Sequence, residues 1–191
     1  CFELDNYDAP NAGINGSLID SETGEVVYTE QPDGCRIKLL DLGYKDPTPL
    51  YFWAKANGTF RNVALFEGDY KVSPIEGPFF PVTEEELSLK GVTDHNFKVT
   101  PYLKIKLVEV VPGEAGEVTV KFSLKRSTVP EGMEIGKKTI SEAWLLCNTM
   151  PVVSYYNGGY NDELSVKKTL SRTSDETIES KDQEITLDKL K

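Results

Sequence analysis

The chain has 191 residues, nine Tyr, eight Phe and two Trp, enough length and core material for two domains of about 100 residues each. A disordered chain would lack those aromatics. The net charge of −10 argues against nucleic acid as a partner and against a polybasic dock on anionic lipid. No segment approaches the roughly 20 apolar residues that would cross a bilayer as a helix.

Residues 1–11, CFELDNYDAPN, are polar, acidic and proline-containing, and read as an extended arm. A first domain is expected over 12–98. Ile14–Asp20 and Glu25–Thr29 flank Glu22-Thr23-Gly24 in a hairpin pattern. Asp33-Gly34 introduces a strand over Cys35–Leu40. Leu50–Ala56 and Thr59–Leu65, joined by Asn57-Gly58, predict a hairpin with a type I′ turn, which needs φ > 0 at both central residues. Alternation within Leu50–Ala56 sets Tyr51, Trp53 and Lys55 on one face and Leu50, Phe52, Ala54 and Ala56 on the other. Asp69–Ser73, Leu87–Lys90 and Asn96–Thr100 complete this half.

Thr100-Pro101 breaks the pattern, and a second domain is expected over 99–191. Leu103, Ile105 and Leu107 alternate with lysines. After the turn at 112–116, Val118, Val120, Phe122 and Leu124 do the same, which predicts an antiparallel hairpin with one wet face. Ile140–Cys147 is apolar on both faces and reads as a central strand with Trp144 in the core. Leu164–Leu170 reads as an edge strand guarded by Lys167 and Lys168. Residues 173–184 read as polar loop, and Ile185–Leu187 as a last strand. Many short strands and no confident helix give an all-β fold of two sandwich domains.

Several blocks carry a resemblance. CFELDNYDAPNAGINGSLIDSETGE, NGTFRNVALFEGDYKVSPIEGPF at 57–79 and VTPYL at 99–103 resemble a Bacteroidetes lipoprotein family, the domain of unknown function numbered 3823. The resemblance implies a transthyretin-like (carboxypeptidase regulatory-like) first sandwich, with Gly58, Phe60, Gly68 and Tyr70 in its paired Gly-x-Phe and Gly-x-Tyr strands. It implies a fibronectin/immunoglobulin-like second one. The chain ends where such a sandwich has its last strands to come. Either those strands lie outside the chain, leaving the domain incomplete, or its register differs from this reading. Members of the family sit beside SusC-like and SusD-like proteins of glycan uptake systems. The implied protein is an outer-membrane lipoprotein facing the cell exterior, accessory to polysaccharide uptake, with SusC/SusD-like partners.

Three cysteines, Cys1, Cys35 and Cys147, leave one without a disulfide partner. Lipid attachment at Cys1, the expectation here, resolves the parity; Cys35 and Cys147 are then either bridged or two free thiols. Tyr155, Tyr156 and Tyr160 crowd the loop SYYNGGYND. They read either as a glycan-binding platform, since tyrosine faces stack on sugar C–H faces, or as a cap on the sandwich. Trp53 is a further glycan candidate; packing on the second domain is its alternative. Phe79 and Phe80 read as filling the junction. The chain's one histidine, His95, reads as a solvated turn residue, and no metal-ligating or nucleophile motif accompanies it. No metal, cofactor or enzymatic activity is expected. The alternative to glycan binding is a spacer or docking module. Asn15-Gly16-Ser17 and Asn57-Gly58-Thr59 match a glycosylation pattern but read as turns.

Overall fold

The computed structural model describes residues 8–134, 139–156 and 158–188, and the expected lipid-attachment residue Cys1 lies outside them. The chain forms two compact units. The first runs through Thr29 and takes in Asp33–Gly77 and Pro81–Val99; the second takes Glu30–Pro32, Pro78–Phe80 and the chain from Thr100 onward.

The first unit has two four-stranded sheets. In one, β1 (Ala12–Asp20) pairs antiparallel with β4 (Thr59–Leu65) and parallel with β7 (Val92–Asp94) and β8 (Phe97–Val99). In the other, the order is β3 (Leu50–Trp53), β2 (Arg36–Asp41), β5 (Gly68–Ile75) and β6 (Glu85–Leu89), antiparallel throughout. The alternation expected of half-buried strands is visible in β2, where Ile37 and Leu39 are fully buried between exposed-face Arg36 and Lys38. Phe60 of β4 meets Phe52 of β3 at 6.3 Å and Phe97 of β8 at 5.4 Å between ring centroids, so the inner faces of the two sheets share one core. Tyr70 is buried in it, its hydroxyl donating to the Phe66 carbonyl at 3.0 Å.

Three sequence expectations fail here. Leu50–Trp53 and Thr59–Leu65 do not pair as a hairpin: β3 joins β2 and β4 joins β1. Gly58 alone takes the left-handed conformation (φ 73°), so the connection lacks the two positive φ values of a type I′ turn. Its short-range bonds, Gly58 N to Lys55 O and Lys55 N to Thr59 O, turn the chain while passing it from one sheet to the other. Asn15-Gly16 is not a turn either. It lies inside β1, where a Cβ on Gly16 would come within 1.7 Å of the His95 carbonyl oxygen. Glycine is there for close backbone approach. His95 is correspondingly not solvated: its backbone N–H donates to Asn15 O at 2.8 Å, its Nε2 lies 3.1 Å from a Glu85 carboxylate oxygen, and its ring meets Phe97 edge-on.

The second unit contains a three-stranded sheet, ordered β13 (Gln183–Leu187), β10 (Val118–Arg126), β9 (Leu103–Pro112), and a two-stranded sheet of β11 (Glu142–Leu145) and β12 (Val166–Thr169). The β9–β10 hairpin forms as the sequence predicts, with a bulge at Lys121/Phe122 that brings Glu109 and Lys121 opposite one another. Phe122, Leu124, Ile140, Leu170, Ile178 and Ile185 make its core. Residues 173–184 are not all loop. A short helix α1 (Asp175–Glu179) starts at Ser174, whose hydroxyl caps Thr177 N–H, and carries two carboxylates in its first turn. One apolar residue, Ile178, anchors it, too few to show a helical period in sequence. Nor is Ile140–Cys147 a central strand: β11 is four residues long and pairs with β12 alone.

Candidate functional site

Trp144 is the largest departure from the sequence reading. It is half-buried rather than core, because only the alternate residues Ala143 and Leu145 of β11 pack on the apolar cluster. Its indole meets Tyr155 edge-on at 5.4 Å and Tyr160 at 6.2 Å; those two rings are parallel to within 7° at 6.1 Å. The face of β11 that carries Trp144 also carries Glu142, whose carboxylate accepts the indole N–H at 2.9 Å. Opposite Trp144 in register is Lys167 of β12, its ammonium 5.0 Å from the indole ring centroid and 3.2 Å from the same Glu142 carboxylate. One ion pair therefore fixes the indole from its edge and from its face.

The loop that brings the tyrosines is closed by its own backbone. Ser154 N–H donates to Gly159 O at 3.0 Å, Gly159 N–H to Tyr156 O at 2.7 Å, and the Asn148 amide also reaches Gly159 O. Tyr155 N–H donates to the Glu30 carboxylate at 3.1 Å. Tyr155 is 56% exposed and Tyr156 54%; Tyr160 is half-buried. Burial and then the neighbouring Asp162 carboxylate push the Tyr160 phenol above its ordinary range. The indole N–H and Lys167 together hold Glu142 below the ordinary carboxylate range, so it is an anion and an acceptor. Of the three tyrosines singled out in sequence, Tyr155 and Tyr160 join the cluster; Tyr156 lies beside it with an exposed ring. Beside them Glu142, Trp144 and Leu145 line an apolar cleft of about 320 Å³, facing Ile105, Leu107 and Phe122.

Trp53 sits elsewhere, in the first unit, on the outer face of β3. The guanidinium of Arg36, opposite it on β2, lies 5.5 Å from the indole centroid and 4.6 Å from that of Tyr51. Sequence reasoning missed Tyr51, Arg36, Glu142, Trp144 and Lys167. Strand parity signals the first, since Tyr51 shares the Trp53 face. Cross-strand register, which supplies Arg36 and Lys167, has no signal in a single sequence. Phe79 and Phe80 are buried within segment Pro78–Phe80 of the second unit, where Phe80 meets Tyr102 edge-on.

No metal-ligating cluster stands among the described residues: no group of three His, Cys, Asp or Glu side chains there is placed to hold a metal ion. Cys35 and Cys147 are free thiols, and burial pushes the Cys35 thiol up to about 12, away from thiolate chemistry. No helix among the described residues is long and apolar enough to cross a membrane.

Fold and sites together define a class: a tandem β-sandwich protein with exposed aromatic clusters. Residues 12–100 match the model of the N-terminal domain of the family of proteins of unknown function DUF3823, so this part of the chain carries that family's N-terminal domain. A DUF3823 family protein of Bacteroides uniformis superposes with a TM-score of 0.76 at 22% identity, covering 93% of this chain and 83% of that one. A DUF3823 family protein of Parabacteroides merdae gives 0.67 at 20%, over 94% and 81%. A second B. uniformis protein, described as a "putative carbohydrate binding protein", gives 0.66 at 22%, over 94% and 80%. These likenesses establish a shared fold. None of the curated proteins compared with the chain matches it.

Proposed function

We propose that this protein is a non-catalytic, lipid-anchored lipoprotein of the outer membrane that binds polysaccharide beside a SusC/SusD-like uptake complex. The observation that carries the reading is the cluster of Trp144, Tyr155 and Tyr160 around the Glu142–Lys167 pair. Half-exposed rings supply faces for sugar C–H groups, and a held carboxylate and ammonium supply partners for hydroxyls. The description of one relative of the same fold as carbohydrate-binding points the same way. Cys1 is the proposed lipid site, where several acyl chains at ~0.8 kcal/mol per buried CH₂ give firm anchoring.

Affinity gel electrophoresis against a polysaccharide panel tests the binding. Retardation by at least one glycan is expected, with Trp144→Ala and Tyr155→Ala each weakening it about tenfold or more. An intact protein that no glycan retards ends the reading. Cys1→Ser expressed in cells is expected to leave the outer membrane fraction.

A second reading, a docking or spacer module, draws on β9. Its inward residues Ile105 and Leu107 continue the face of buried Leu124 and Phe122, yet are 71% and 60% exposed. An apolar strand face left open is a place for a protein partner. Co-purification with the transporter without any glycan retardation selects this reading.

A further inference from the structure

The first unit carries an aromatic surface of a different kind. Tyr51 and Trp53 occupy alternate positions of β3, so they lie on one face of the sheet, about 6.7 Å apart along the strand. They are 46% and 44% exposed. Rings on an outer sheet face ordinarily swing freely, but these two are held. Arg36 stacks against both, and its guanidinium is fixed in turn by a two-pronged bond to Glu76, with Nε at 2.6 Å from Oε2. The Glu76 carboxylate holds the guanidinium above its ordinary range and is itself held low. One face of each ring is thus covered by a fixed cation, and the exposed remainder is pre-oriented toward solvent.

The surroundings restrict what such a surface takes. The sheet continues across Lys38, which is paired with Glu84 at 2.7 Å, and Lys71, paired with Glu86 at 3.6 Å. This is a polar field of donors and acceptors whose charges are already matched. With a net charge of −10 on the whole chain, a polyanion gains nothing here and is repelled at distance. The two rings stand exposed on a sheet face, so a single sugar ring is not enclosed as a pocket encloses a small ligand. Affinity comes only from a chain long enough to lay successive rings over Tyr51, Trp53 and the polar rows beside them.

We infer that the outer face of β3–β2, centred on Tyr51, Trp53 and Arg36, is a second and independent carbohydrate-binding surface, taking extended, uncharged polysaccharide. The inference rests on the proposed carbohydrate-binding function and adds a site and a ligand class to it.

The two tryptophans fall one in each cluster, so each reports on its own site. Trp144→Phe leaves Trp53 as the fluorophore; Trp53→Phe leaves Trp144. Each full-length variant is titrated with neutral β-1,4-glucan, α-1,4-glucan, xylan and mannan oligosaccharides of increasing length, with free monosaccharides and with polygalacturonate. Acrylamide quenching is read throughout. The expected result in the Trp144→Phe protein is protection of Trp53 by at least one neutral series, growing with chain length and absent with monosaccharides and polygalacturonate. Adding Tyr51→Ala is expected to weaken it about tenfold or more, with the melting temperature unchanged. Protection of Trp144 with no response from Trp53 overturns this inference and leaves the proposed function standing. Silence of both tryptophans, with silent calorimetry on the unaltered protein, overturns both. Protection of Trp53 by monosaccharides or by polygalacturonate overturns the ligand class. Protection that rises with protein concentration and no sugar reassigns the face to strand pairing between copies, and overturns the site.

Discussion

The two tryptophans of this protein sit on comparable short strands but in unlike frames. Trp53 stands on a four-stranded sheet whose inner face is sealed by Phe60, Tyr70 and Phe97. Trp144 stands on a two-stranded sheet beside an open cleft, and both of its aromatic neighbours come from a loop. Each indole is held by a cation that is held by a carboxylate: Arg36 with Glu76 in one unit, Lys167 with Glu142 in the other. The same local device is thus mounted once over a closed core and once beside an open cleft, and the first base is expected to be stiff and the second pliant. Local side-chain chemistry alone does not set how rigid a binding surface is; the depth of packing beneath the strand does.

The largest expected effects come from attacking the base. Phe60→Ala removes a buried ring shared by both sheets of the first unit and is expected to cost about 3–5 kcal/mol. Gly16→Ala acts on the same unit by driving β1 off the His95 carbonyl, and is expected to be at least as damaging. Phe122→Ala in the second unit is expected to cost less, because its vacancy opens onto a cleft that already exists. Urea unfolding followed at Trp53 and at Trp144 separately reads the two units. Equal losses for Phe60→Ala and Phe122→Ala break the contrast between stiff and pliant frames.

In both units the local pattern was easier to read than the pairing. Alternation in Leu50–Trp53 and in Val118–Leu124 is a local property, and it assigned strands and faces correctly. What failed was everything that depends on partners. Asn57-Gly58 looks like a hairpin turn because the residues on either side alternate, yet the chain changes sheets there. Gly16 resembles a turn glycine and serves instead to let a neighbouring carbonyl approach. Trp144 resembles a core tryptophan because Ala143, Leu145 and Leu146 surround it in sequence, but among the described residues its ring is met by Tyr155 and Tyr160 of a loop. The tyrosine-rich loop was legible as a candidate site from composition. Its indole, carboxylate and ammonium were not, since pairing of Trp144 with Lys167 is a matter of register between residues 23 positions apart.

A smaller effect probes how the second unit is tied together. Asp175 at the start of α1 accepts Ile140 N–H at 3.0 Å and Arg126 Nε at 2.6 Å. Burial pushes its carboxyl up, but the two donors more than offset this and hold it below the ordinary range. A carboxyl lowered by folding stabilises the fold fully above its unfolded value of about 3.9 and ceases to do so as pH falls through the lower, folded one. Asp175→Asn is expected to cost about 1–3 kcal/mol at neutral pH. It should also flatten the acid limb of stability in the unit that Trp144 reports. The same flattening at Trp53 shows that the two units unfold as one, and removes the grounds for treating their frames separately.

The smallest effects isolate the cations. Lysine carries a compact charge and cannot make the planar, two-pronged bond that fixes Arg36 to Glu76. Arg36→Lys is therefore expected to loosen Trp53, with lower fluorescence anisotropy and faster acrylamide quenching in the protein that retains Trp53 alone. The melting temperature should barely move, since exposed pairs contribute little to stability. The reciprocal change, Lys167→Arg, is expected to do the opposite at Trp144: a guanidinium reaches the Glu142 carboxylate and stacks on the indole better than an ammonium does. Anisotropy of Trp144 should then rise toward that of Trp53. If it stays low with the better cation in place, the mobility of the second cluster originates in β11, β12 and the 154–160 loop, and the cation is secondary. If it rises fully, the cation governs, and the difference in packing beneath the two strands matters less than the difference between lysine and arginine.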